Sequence, residues 1–187
     1  MRQSLTVLKQ DERGVTAVEF ALVGPILFFL MMAITEISLI IFAQSTMEGA
    51  AFTASRIGKT GYAETATTRE ETIRAALEKK MSNLFDPDRI VLETLSYNQF
   101  NQIGEPEPFV DVNGNGQRDE NENYTDVNGN AQYDSDIGAA GVGRSSQIVI
   151  YDIHYDWPVL TPLMQPFIGE NGILRLTTRA ITQNEPF

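Results

Sequence analysis

The chain has 187 residues, of which 42% are hydrophobic and 21% charged, and a formal net charge of -11. This balance fits one globular domain beside an apolar segment, and it argues against nucleic acid, because phosphate binding needs a basic face. Without cysteine there are neither disulfides nor thiolate metal sites, and with the single histidine His154 there is no histidine-rich metal cluster.

Residues 1–14 read as a short charged leader holding Arg2, Lys9 and Arg13, with Asp11 and Glu12 nearby. Basic residues beside a first membrane segment keep that end in the cytoplasm, which places the bulk of the chain outside. From Val15 to Ala43 only Glu19 and Glu36 are ionisable. As a helix this run is roughly 43 Å long, against about 30 Å of hydrocarbon. A single-pass membrane anchor is expected, with 15–58 as a membrane and extended helix. A secretory signal peptide is the alternative, but its apolar region is typically about 7–15 residues and ends in a small-residue cleavage site. This run is longer and carries a carboxylate near its start.

Glu19 is informative because a carboxylate in an apolar helix is costly and calls for a partner. A cut after Gly14 would give Val15 a free α-amino group, with Glu19 fifth from it, and that amine is a suitable counter-charge. Gly24-Pro25 removes a backbone hydrogen bond inside the helix, read either as a weak point for bending or as a static kink. Glu36, about 26 Å beyond Glu19 along a helix, reads either as a partner-helix contact or as a residue at the outer interface.

The run Arg13-Gly14-Val15-Thr16-Ala17-Val18-Glu19-Phe20-Ala21-Leu22-Val23-Gly24-Pro25 resembles the opening of the TadE-like family, pseudopilins of the tight-adherence (Tad) type IV pilus. The Asn184-Glu185-Pro186-Phe187 ending agrees with it. The resemblance implies cleavage by a prepilin peptidase between Gly14 and Val15, and association with other pilin-like subunits and the pilus assembly apparatus. The short major pilins of that system have Glu-Tyr where this chain has Glu19-Phe20. That departure and the large domain imply a minor subunit.

Beyond the membrane the helix is expected to continue to about Ile57, with Ala43, Ala50, Ala51 and Ala54 allowing close packing and Gly58 and Gly61 ending it. Thr68 and Glu71 form a capping box before Ile73, Leu77, Met81 and Leu84 at helical spacing, and Asp86-Pro87 stops that helix. Ile90–Tyr97, Gln147–Trp157 and Ile173–Thr182 read as strands. In the second, Val149, Tyr151, Ile153, Tyr155 and Trp157 share one face and Asp152, His154 and Asp156 the other. That alternation explains two carboxylates flanking a histidine as a solvated face, and no nucleophile motif accompanies them. Residues 59–187 are therefore expected to form an extracytoplasmic α+β domain, a helix packed on a small antiparallel sheet, with an insert at 105–137.

The insert carries nine carboxylates against Arg118 alone. Asp111, Asn113, Asn115, Asp119 and Glu122, with the Gln117 carbonyl and Gly116 at the turn, match an EF-hand calcium loop at every defined position. Asp126, Asn128, Asn130, Gln132 and Asp134 repeat its front half, but Ala131 stands at the turn and Ile137 at the last position. The second loop then needs a carboxylate from Asp136 or from the first loop. The alternative is a turn-rich solvated insert, since Asn-Gly pairs favour tight turns. Flanking helices are not evident, so a structural calcium (Ca2+) loop is expected rather than a sensor. The reading is a non-enzymatic minor pilin supporting pilus assembly and adhesion. The alternative is a permanently membrane-anchored, calcium-stabilised adhesin or binding module.

Overall fold

The computed structural model describes residues 14–82 and 84–187, so the expected leader, 1–13, lies outside the described residues. Helix α1 spans Val15–Lys59, helix α2 Arg69–Met81, and the strands are β1 (Val91–Tyr97), β2 (Ala139–Ala140), β3 (Ile148–Pro158) and β4 (Ile173–Gln183). The sheet order is β2-β1-β3-β4. Antiparallel pairing sets Val91 against His154 and Tyr97 against Ile148, while Leu95 and Ser96 meet Ala140 and Ala139. Two compact units divide the chain. One holds the chain up to Phe42 together with Trp157–Leu174, and the other holds Ala43–Asp156 with Arg175–Phe187.

In the first unit, α1 presents Phe20, Leu22, Ile26, Phe28 and Leu30 openly. Only 11% of its most apolar 18-residue stretch is buried, unlike the core helix of a soluble protein. Among the described residues it is the helix long and apolar enough to cross a membrane, consistent with a single-pass anchor. The helix runs through Pro25. Gly24 is buried beneath the Phe20 ring one turn earlier.

In the second unit the same helix is lined by small residues, and Ala43, Ala50, Ala51 and Ala54 are fully buried beside Met47. Arg56 and Lys59 in its last turn complement the negative end of the helix dipole. Gly61, with φ +69°, ends it, while Gly58 lies in the last turn for a packing reason: a Cβ there would fall 1.8 Å from the Tyr151 hydroxyl oxygen. That hydroxyl is buried without a hydrogen-bond partner among the described residues, and burial pushes its phenol up to about 12 despite the opposing charge of Arg69.

The capping box forms as the spacing requires. The Thr68 hydroxyl accepts from the Glu71 amide (3.1 Å) and the Glu71 carboxylate accepts from the Thr68 amide (2.7 Å). Such a cap stabilises a helix by about 1 kcal/mol. Ile73, Leu77 and Met81 are fully buried, each contributing roughly 1.5–3 kcal/mol by removal from water.

The sheet departs from simple alternation in the first half of β3, where both faces are buried from Ile148 to Ile153. Ile150 joins Tyr97 and Ile137 in a second small core, packed by Leu95 and Ile103. Ile103 and Ile137 flank the acidic insert, which thereby covers part of the face expected to be solvated.

Candidate functional site

At the start of α1 the Gly14 carbonyl accepts the Val18 amide (3.1 Å), so Gly14 opens the helix and Val15 and Glu19 lie exposed on it. Among the described residues nothing stands within 4 Å of where a Cβ on Gly14 would be. The described part of the fold leaves this position uncrowded.

Glu36 is fully buried, and its partners come from the connection between β3 and β4: its carboxylate accepts the amides of Leu160 (3.0 Å) and Thr161 (2.9 Å). Neither sequence reading of Glu36 anticipated this contact, which spans 124 residues.

The acidic insert folds as two loops on a short hairpin. Phe109 and Tyr124 form an antiparallel bridge, and the Val110 amide donates to Asn123 (2.9 Å) and the Thr125 amide to Pro108 (2.8 Å). Tyr133 stacks edge-on against both Phe109 and Tyr124, and the Arg118 guanidinium lies 4.7 and 4.8 Å from the centres of the Tyr124 and Tyr133 rings.

In the first loop the Asp111 carboxylate accepts the amides of Gly114, Asn115 and Gly116, and the Asn115 and Gln117 amides donate to the side-chain oxygens of Asn113 and Asn115. The Asn113 and Asn115 carboxamides both donate to one Asp119 oxygen, at 2.6 and 3.1 Å. Glu122 closes the loop by accepting the Val112 (2.7 Å) and Asp119 (3.0 Å) amides.

The second loop repeats this bond for bond. Asp126 accepts from Gly129, Asn130 and Ala131, the Asn130 and Gln132 amides donate to Asn128 and Asn130, and both carboxamides donate to Asp134 (2.7 and 2.6 Å). The closing carboxylate is Glu107, fully buried, which accepts the Val127 (2.7 Å) and Asp134 (3.2 Å) amides. It is neither of the two sources expected: it precedes the first loop, and Asp136 instead accepts the Tyr97 hydroxyl (2.9 Å) and the Gly138 amide (2.9 Å). Burial, then this bond, push the Tyr97 phenol far above its usual range.

The donor set is rich in oxygen, as calcium requires. As placed, no three His, Asp or Glu groups among the described residues stand close enough to hold a metal ion. Ligation needs the two carboxamides of each loop to make a half-turn and present oxygen to Asp119 or Asp134. Those oxygens repel one another unless a cation lies between them.

The β3 carboxylates are engaged by β4. Asp152 takes a two-pronged bond from Arg179 (2.7 and 2.6 Å), and Asp156 is held below the usual carboxylate range by its bond from Arg175 (2.9 Å). His154 faces Thr177 (3.2 Å) and, more distantly, Glu93 (3.9 Å). These are cross-strand pairs of a sheet surface.

Residues 14–56 match the family model described as TadE-like protein, the family that the opening of the chain resembles. No curated protein and no solved structure matches the chain.

Proposed function

We propose that the chain is a non-catalytic minor pilin of a Tad-type pilus, cut by a prepilin peptidase between Gly14 and Val15. The amino terminus faces the cytoplasm and the domain lies on the periplasmic or extracellular side. The observation that carries this reading is the family match, which begins at Gly14 and runs along α1. Among the described residues nothing crowds Gly14, which supports its serving a peptidase that tolerates only a small side chain. After cleavage the new amine of Val15 stands near Glu19 on the same or a neighbouring helix, and this pairing lets anchors associate with other pilin-like subunits. The test is amino-terminal sequencing of the protein isolated from its own membrane, beside Gly14→Leu. The wild-type chain should begin at Val15 and the variant should remain full-length. A wild-type chain that keeps its first 14 residues would point to the permanently anchored adhesin instead.

The twin loops support a structural role for calcium in either case. Asp111, Asn113, Asn115, Asp119 and Glu122, with the Gln117 carbonyl, would hold one ion. Asp126, Asn128, Asn130 and Asp134, with Gln132 and the borrowed Glu107, would hold a second. An ion there would neutralise the carboxylates and fasten the insert as a contact surface for adhesion.

A further inference from the structure

The connection between β3 and β4 is an uncharged, largely apolar loop that touches the anchor. From Trp157 to Gly169 no residue is charged, yet Leu160, Leu163 and Phe167 are 57%, 50% and 70% exposed. Water is a poor environment for three large apolar side chains on one short loop. The loop also lies along α1 at two levels. Glu36 grips it through the Leu160 and Thr161 amides, and Phe29 meets Phe167 edge to face with ring centres 5.6 Å apart. Phe29 is seven residues before Glu36, about 10 Å nearer the cytoplasmic end along a helix. If the hydrocarbon begins near Val15 it extends for about 20 helical residues, so Phe29 is inside it and Glu36 at its outer edge.

From these contacts we infer that the β3–β4 loop is seated in the outer leaflet beside α1, with Leu163 and Phe167 in lipid and Glu36 fastening the loop at the membrane boundary. The inference rests on reading α1 as the membrane anchor. Backbone outside a helix or barrel is costly in hydrocarbon unless its polar groups are satisfied, and most amides of this loop meet that constraint. Pro158, Pro162 and Pro166 have no amide proton to satisfy. The amides of Val159, Met164, Phe167 and Ile168 donate within the loop at 2.8–3.1 Å, and those of Leu160 and Thr161 donate to Glu36. The same carboxylate that would be a liability in the membrane is thereby itself satisfied.

The absence of cysteine makes the test direct. The full chain is placed at one copy per lipid nanodisc with an environment-sensitive fluorophore on Phe167→Cys, Leu163→Cys, Leu30→Cys or Val112→Cys, and doxyl-labelled lipid is added as quencher. Probes at positions 167 and 163 should lose emission to doxyl lipid as deeply as the anchor probe at 30, while the probe at 112 keeps its emission. Quenching at 30 with full emission at 163 and 167 would overturn the loop inference and leave the anchor standing. Unquenched emission at all four positions would overturn both. Shielding of 163 and 167 that appears only when several copies share a disc, without lipid quenching, would assign the surface to a second copy and also overturn it.

Discussion

The two acidic loops are near copies of each other, yet they are closed by carboxylates from opposite directions. Glu122 reaches back 10 and 3 residues, to Val112 and Asp119, so the first loop is complete within its own twelve positions. Glu107 reaches forward 20 and 27 residues, to Val127 and Asp134, so the second loop exists only once the hairpin has formed. A local motif and a tertiary one thus reach the same geometry. The second costs more chain entropy to close, though the penalty grows only slowly with loop length.

The largest break in that comparison should come from Glu107→Ala. Two part-buried amides lose their acceptor, the fully buried Glu107 carboxylate, and an unsatisfied buried donor costs about 1–3 kcal/mol. A loss of about 2–4 kcal/mol is expected from that range. Glu122→Ala should cost less, because its amides are local and nearer solvent. Thermal unfolding of the full chain in detergent, read by near-ultraviolet circular dichroism, ranks the two. Amide exchange should show Val127 and Asp134 freed in the Glu107 variant and Val112 and Asp119 in the other. Equal protection of all four amides in both variants would remove the distinction between local and borrowed closure.

Calcium should act on both loops with a smaller step. Extracellular sites of this kind bind at about 10⁻⁴–10⁻³ M, and calcium tenfold above the dissociation constant stabilises the folded state by about 1.4 kcal/mol per site. Chelation should lower the unfolding temperature. Asp111→Ala with Glu122→Ala should halve the calcium-dependent shift, and Asp126→Ala with Glu107→Ala should remove the remainder. Calorimetry at millimolar calcium that detects no binding, with melting unchanged on chelation, would leave the turn-rich insert as the surviving reading.

What was legible in the sequence was what is local. The capping box, the long anchor and the stripe Ile73, Leu77 and Met81 follow from spacing, because each is settled within a few helical turns. Yet α2 ends at Met81, before Leu84 and well short of Asp86-Pro87. Alternation placed Tyr151 and Ile153 in the core. It could not show that Ile150 is also buried, because the cover, Ile103 and Ile137, comes from the ends of the insert. Glu107 is silent in the sequence for the same reason, since a glutamate between two prolines carries no loop signature. The hint lay in Phe109 and Tyr124, aromatic residues able to pair across a hairpin and draw Glu107 to the second loop. Glu36 stands out by its cost in an apolar run, but its partners lie beyond a whole domain of sequence.

The smallest effect isolates the one position at which the loops differ in backbone chemistry. Gly116 and Ala131 hold equivalent left-handed conformations, with φ of +74° and +63°, and donate to Asp111 (2.8 Å) and Asp126 (2.9 Å) in the same way. Nothing stands within 4 Å of a Cβ built at Gly116, so packing does not enter and only the backbone decides. An L-residue in this conformation costs roughly 1–2 kcal/mol, of which glycine's greater freedom in the unfolded chain returns about 0.4–1 kcal/mol. Ala131→Gly should therefore stabilise the chain by about 0.5–1 kcal/mol, and Gly116→Ala should destabilise it by a similar amount. Opposite signs of near-equal size would establish that the loops share one backbone requirement. A loss of stability in Ala131→Gly would mean that the alanine methyl contributes in the second loop what the first loop does without, and the equivalence of the two turns would fail.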